Sequence, residues 1–171
     1  IRIQGLNVDS LDSLLEQCEA IEDSIELPFN VFTHGDFNID NIIFDEENAS
    51  PRFIDLHRSR DTDYLQDVSV FMVSNYRMKV ADPVIRKLIN RVMYRFYKRV
   101  QHFADKQNDN TFELRLALGL ARSYITSTRF TLDEVHADNM FLRGRYLLER
   151  VADTQGKKLK KFSLPEGIFY G

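Results

Sequence analysis

Glycine is scarce and scattered in this chain: seven residues in 171, with no G-x-G-x-x-G among them. That excludes a glycine-rich loop folded over phosphates within these residues. Cysteine is scarcer still. Cys18 stands alone, which excludes an internal disulfide; on an amphipathic segment it reads as a small core residue, and a reducing, cytoplasmic setting is expected. No apolar run approaches the roughly 20 residues of a membrane-spanning helix, and no secretory signal pattern opens the sequence. There is no basic stripe interleaved with aromatics, and the pI is about 5.8. Neither a membrane nor a nucleic acid is therefore expected as a partner. Repeats and low-complexity tracts are missing too, and oligomeric state leaves no trace.

What is present is a globular composition, 43% hydrophobic and 29% charged, enough for a single domain over residues 1–171 with a sizeable core. Charge is unevenly spread. Residues 1–85 hold 6 Lys and Arg against 17 Asp and Glu, a balance of −11; residues 86–171 hold 17 against 9, a balance of +8, giving the net −3. The basic half reads mainly as solvated helix surface, with room for an anionic partner. The Lys157-Lys158-Leu159-Lys160-Lys161 run reads as a solvated terminus.

Asp9 or Ser10 can cap a first helix with Leu11, Leu14, Leu15, Cys18 and Ile21 at helical spacing, ending before Pro28. Short strands are predicted at Asn30–Thr33, Ile42–Phe44 and Arg52–Leu56, the last two forming a hairpin around Glu46–Pro51. Asp63 and Gln66 have the spacing of a capping box. Helices follow at about Tyr64–Lys79, Pro83–Lys106, Thr111–Thr128 and Glu134–Asp153. In the second of these, Ile85, Leu88, Ile89, Val92, Phe96, Val100 and Phe103 form an apolar stripe. In the third, Leu114–Leu120 is apolar nearly all round, which predicts a central, buried helix.

Between these elements lies His34-Gly35-Asp36-Phe37-Asn38-Ile39-Asp40-Asn41, and the third strand delivers Phe53-Ile54-Asp55-Leu56. One Asp five residues before an Asn, with a second Asp on a nearby strand, supplies what nucleotide-dependent phosphoryl transfer needs. A carboxylate orients the attacking hydroxyl, and an amide with another carboxylate holds magnesium on the phosphates. Singly, each has a plainer reading as a turn or loop former. Together they do not.

H-G-D-x-x-x-x-N followed by I-D resembles the aminoglycoside phosphotransferase and choline kinase-like family, small-molecule relatives of the protein kinases, from about the first helix to Met78. Protein kinases share the Asp-to-Asn spacing and the downstream magnesium Asp. The resemblance implies an α+β, mostly helical fold: a protein-kinase-like C-terminal lobe whose small β-hairpin carries the catalytic and metal-binding loops. Only 33 residues precede His34, and no strand with a phosphate-pairing Lys is among them. The N-terminal nucleotide lobe is therefore expected to be absent from this chain, which alone should be inactive.

By resemblance, Asp36 is the catalytic base, and Asn41 and Asp55 hold Mg2+. Asn38, Asn41 and Asp55 face the ATP or GTP phosphates. His34 supports the loop structurally. Asp67 reads in two ways, as the helix Asp that ties down the loop backbone or as an ordinary dipole-favoured Asp in a first turn. Two features depart from the family pattern. Asn38 stands where many relatives carry His, and His57-Arg58-Ser59-Arg60 stand where many have further acids. Arg58 or Arg60 can hold an anionic group or pair at the surface with Asp61 or Asp63. His102 and His136 read as ordinary helix residues.

The implied function is ATP- or GTP-dependent phosphoryl transfer to a hydroxyl of a small molecule, with the helices after Lys79 forming the acceptor pocket. Because those helices are net basic, a sugar, amino alcohol or related metabolite, phosphorylated ones included, fits better than a polycationic aminoglycoside. The alternative is a non-catalytic, kinase-like binding module, a pseudokinase.

Overall fold

Ser10 starts the first helix, its hydroxyl accepting the Ser13 amide at 3.1 Å as an N-cap does. The computed structural model describes residues 2–3, 6–7, 10–154, 159 and 161–169. Asp9 and Lys157, Lys158 and Lys160 of the basic run lie outside them. The helices are α1 (Leu11–Asp23), α2 (Leu65–Arg77), α3 (Pro83–Lys106), α4 (Phe112–Ser127) and α5 (Glu134–Ala152). The strands are β1 (Arg2–Ile3), β2 (Leu6–Asn7), β3 (Val31–Thr33), β4 (Ile42–Asp45), β5 (Ser50–Phe53) and β6 (Arg60–Thr62). They pair in three antiparallel two-stranded ribbons, β1 with β2, β3 with β6 and β4 with β5. The fold is α+β and mostly helical. Among the described residues no helix is long and apolar enough to cross a membrane.

α4 is the centre. Phe112, Leu114, Leu116, Ala117, Leu118, Leu120 and Ala121 are all buried, as an all-round apolar helix requires. α2 and α5 pack on either side of it, and α1 lies on α5. Gly144 permits the α4–α5 approach, because a Cβ there would lie 2.7 Å from Ile125 Cγ1. Arg115 is buried within this core. It is held by Asp63 and the fully buried Asp109, while the Tyr64 hydroxyl donates to Asp109 at 2.7 Å. Burial opposes the Arg115 charge, but the bonds to Asp63 and Asp109 outweigh it and raise its pKa.

Several expectations are corrected. On α3 the buried positions are Met93, Tyr97, Val100 and Ala104, whereas Ile85, Leu88, Val92 and Phe103 stay substantially exposed. The core face is rotated because Met and Tyr fill it, Tyr97 donating its hydroxyl to Glu113 at 2.7 Å. On α1, Leu15 is exposed while Leu14 and Cys18 are buried. The third strand begins at Ser50, with Pro51 opposite Phe44, a position that an edge strand tolerates. It ends at Phe53 because Asp55 turns left-handed, at φ 62°. The reciprocal capping box does not form: Asp63 accepts the Leu65 amide at 3.0 Å, while Gln66 lines a cavity. β6, too polar to read as a strand, was not anticipated.

Candidate active site

The loop after β3 is tied down from below. Both oxygens of Asp67, in the first turn of α2, accept backbone amides: His34 N–H at 2.6 Å and Gly35 N–H at 2.9 Å. His34 is buried, its Nδ1 accepting the Asp36 amide at 3.3 Å and its Nε2 donating to the Ile54 carbonyl at 2.9 Å. Both ring nitrogens are therefore spent on structure, linking the two motif segments. The Ser59 hydroxyl donates to the His34 carbonyl at 3.2 Å, and the Ser74 hydroxyl accepts the Ile39 amide at 3.0 Å. Phe37 fills the space beneath, 5.5 Å from both Phe53 and Phe71 between ring centres.

Gly35 has φ 83°, and a Cβ there would sit 2.2 Å from the Arg58 carbonyl oxygen. Only glycine lets the His34–Asn41 loop and the segment after β5 pass this closely. Asp36 follows at the edge of a cavity, its side chain a quarter exposed. Asn38 donates to Asp36 Oδ1 at 3.1 Å and accepts the Asp40 amide at 2.9 Å, so its amide is directed at the carboxylate. Asn41 is buried and donates to the Asp36 carbonyl at 2.8 Å, which leaves its side-chain oxygen for a ligand. Asp55 Oδ1 accepts from His57 Nδ1 at 2.5 Å. His57 Nε2 accepts from Arg58 Nε at 3.3 Å, and Arg58 Nη1 lies 3.4 Å from Asp36 Oδ2. A chain of side chains thus runs from Asp55 to Asp36. Asp55 is strained in the left-handed region, a feature that clusters at functional sites. Asn41 Oδ1 and Asp55 Oδ2 are hard oxygen donors of the kind magnesium takes alongside phosphate and water.

Asp36 opens onto a cavity of about 820 Å3 lined by Gly35, Asn38 and Arg58 from the loops and by the outer face of α2. The C-terminal end of α4 and the 3-10 turn at Thr128–Phe130 complete it. Asn41 and Asp55 do not line it, so only Asp36 of the three reaches this space. Neither α3 nor α5 lines it, which corrects the expectation that the helices after Lys79 build the pocket: of these only α4 does. Arg58 pairs with Asp36 rather than with Asp61 or Asp63. Asp63 belongs to Arg115. Arg60 lines a smaller adjoining cavity of about 420 Å3 with Gly35, His57 and Gln66.

A model of the phosphotransferase enzyme family matches residues 4–98, more than half of the chain, spanning the loop, the hairpin and α2. The chain belongs to the phosphotransferase enzyme family. This agrees with the resemblance carried by His34–Asn41 and Ile54-Asp55, and family membership implies phosphotransfer in general. No curated protein and no solved structure matches.

Within this candidate site, sequence reasoning missed His57, Ser74 and the cations of the cavity wall, Arg77, Lys79, Arg122 and Arg129. The net basic second half was a trace of Arg122 and Arg129 only, since Arg77 and Lys79 fall in the net acidic half. His136 stacks on Tyr76 at 5.5 Å and His102 is exposed, neither belonging to the site.

Proposed function

We propose that this chain is the C-terminal, kinase-like lobe of a phosphotransferase that moves the terminal phosphoryl group of ATP or GTP to a hydroxyl of a small molecule, in a cytoplasmic setting. The observation that carries this reading is the placement of Asp36 at a small-molecule-sized cavity, hydrogen-bonded to Asn41 through its backbone and linked to Asp55 through His57 and Arg58.

In this reading Asp36 accepts a hydrogen bond from the acceptor hydroxyl, aligns its oxygen with the phosphorus and takes its proton as the new bond forms. Asn38 fixes the carboxylate's orientation from Oδ1, and Asp67 fixes the loop that bears it. Asn41 and Asp55 would hold Mg2+, which supplies charge neutralisation on the nucleotide phosphates. Alignment and charge stabilisation account for most of the acceleration in such reactions. These residues contain no glycine-rich phosphate loop, so the elements covering the nucleotide are placed outside them.

The second reading, a non-catalytic kinase-like binding module, is favoured by one feature: both Asp36 oxygens already have partners, Asn38 and Arg58. Phosphorus NMR of the full-length protein with Mg2+, ATP or GTP, and a panel of sugars, sugar phosphates and amino alcohols separates the two. A new phosphomonoester resonance is expected. Nucleotide binding without transfer to any hydroxyl would favour the binding module.

A further inference from the structure

Five cations line the cavity beside Asp36: Arg58, Arg77, Lys79, Arg122 and Arg129. Asp36 is the only carboxylate among the lining residues, so the wall carries a balance of +4 in a chain whose net charge is −3. We infer that the acceptor is itself an anion, carrying a phosphate or carboxylate group seated against this arginine and lysine wall. The inference rests on the phosphotransferase reading, and names the chemical class of its substrate.

The cations are available. Arg58 serves Asp36, but the carboxylates that reach the others stand outside the cavity and in solvent. Asp40 lies 3.4 Å from Arg77, Asp133 3.5 Å from Lys79 and Glu22 2.8 Å from Arg122, with side chains 74%, 46% and 45% exposed. Exposed pairs of this kind contribute little and exchange readily for a better-placed anion. Among the described residues Arg129 has no carboxylate pair; its guanidinium lies over the Phe130 ring at 4.6 Å. Arginine forks suit phosphate and carboxylate oxygens. Hydroxyls of Ser123, Thr126, Ser127 and Thr131 share the wall; those of Thr126 and Thr131 donate to the Arg122 and Ser127 carbonyls and so offer lone pairs to the rest of a polar metabolite.

The nucleotide is not the anion in question. Asn41 and Asp55, which would hold the metal on its phosphates, do not line this cavity. Arg122 and Arg129 also lie beyond residues 4–98, the stretch matched by the family model, where an acceptor-specific feature of this chain is expected. A polycationic acceptor would meet like charge on every side except at Asp36.

The test follows the arginine side-chain Nε–H signals of the protein by 15N NMR at constant ionic strength, without nucleotide. Inorganic phosphate should shift the Arg122 and Arg129 signals saturably. Ribose 5-phosphate should bind at least about tenfold more tightly than ribose, and kanamycin more weakly than either. Arg122→Gln/Arg129→Gln should remove most of that preference, with Lys79→Gln as an independent second variant, while Mg2+–nucleotide affinity changes less than about twofold. Phosphate binding unaltered by these substitutions, or kanamycin or ribose binding better than ribose 5-phosphate, would overturn the proposal. So would a loss of nucleotide affinity in the variants, since the cations would then serve the nucleotide. Phosphate bound at these arginines with no phosphoryl transfer to any acceptor would uphold the anion site and sink the proposed reaction instead.

Discussion

Asp67 is a single carboxylate on which the geometry of the whole loop converges, and its removal can be worked out from two distances. Asp67→Ala deletes the acceptors for the His34 amide at 2.6 Å and the Gly35 amide at 2.9 Å. Charge-assisted bonds contribute about 1.5–3 kcal/mol each. Asp67 is only half-buried, so water compensates in part and the lower end applies. The expected loss is about 3 kcal/mol, a large share of the roughly 5–15 kcal/mol that stabilises an ordinary domain. In a chain of this size that lowers the midpoint of thermal unfolding by about 6–12 °C. Asp67→Asn keeps one acceptor oxygen and should lose about half as much. Urea unfolding followed by far-ultraviolet circular dichroism measures the stability, and amide hydrogen exchange reads the His34 and Gly35 protons directly. A wild-type midpoint with unchanged protection of those two amides would refute the reasoning.

Gly35→Ala should destabilise by about 2–4 kcal/mol, from the left-handed φ and the 2.2 Å approach to the Arg58 carbonyl, and should abolish turnover; a variant with wild-type activity would show that the loop does not need this crossing. Arg115→Met leaves the fully buried Asp109 without its cation, and a loss of about 3–5 kcal/mol in denaturant unfolding is expected; a change below about 1 kcal/mol would count against a structural role for the pair. Burial, assisted by Glu22, pushes the Cys18 thiol up from 9.0 to about 11. At pH 8 the native protein should therefore alkylate about a hundredfold more slowly than the unfolded chain, and labelling at equal rates would contradict the buried placement of this thiol.

The helices were legible because their signals are local. Pro83 at the start of α3 and the unbroken apolar run of α4 mark where helix begins and what it buries. The face of α3 was legible only in part: Ile89, Phe96 and Val100 turn to the core as periodicity favours, but Met93 and Tyr97 join them while Ile85, Leu88 and Val92 stay exposed. β6 escaped notice because Arg60-Asp61-Thr62 is polar, and its pairing with β3 depends on a contact some thirty residues away in sequence. At the candidate site, spacing singled out Asp36, Asn41 and Asp55, of which Asp36 lines the cavity. His57, which bridges Asp55 to Arg58, has no signature of its own. The cavity's cations come from the turn after β5, from α2 and the loop that follows it, and from α4 and the turn after it, and only folding brings them to one wall.

The central claim, that Asp36 acts on the acceptor while Asp55 acts on the nucleotide, is tested most directly by measuring turnover and Mg2+-dependent nucleotide affinity on the same two variants of the protein. Asp36→Ala should lose on the order of a thousandfold or more in kcat while its nucleotide affinity stays within about threefold of wild type. Asp55→Ala should lose turnover to a similar extent and its metal-dependent nucleotide affinity with it. Equal and small effects from both substitutions would contradict the account and place the chemistry elsewhere.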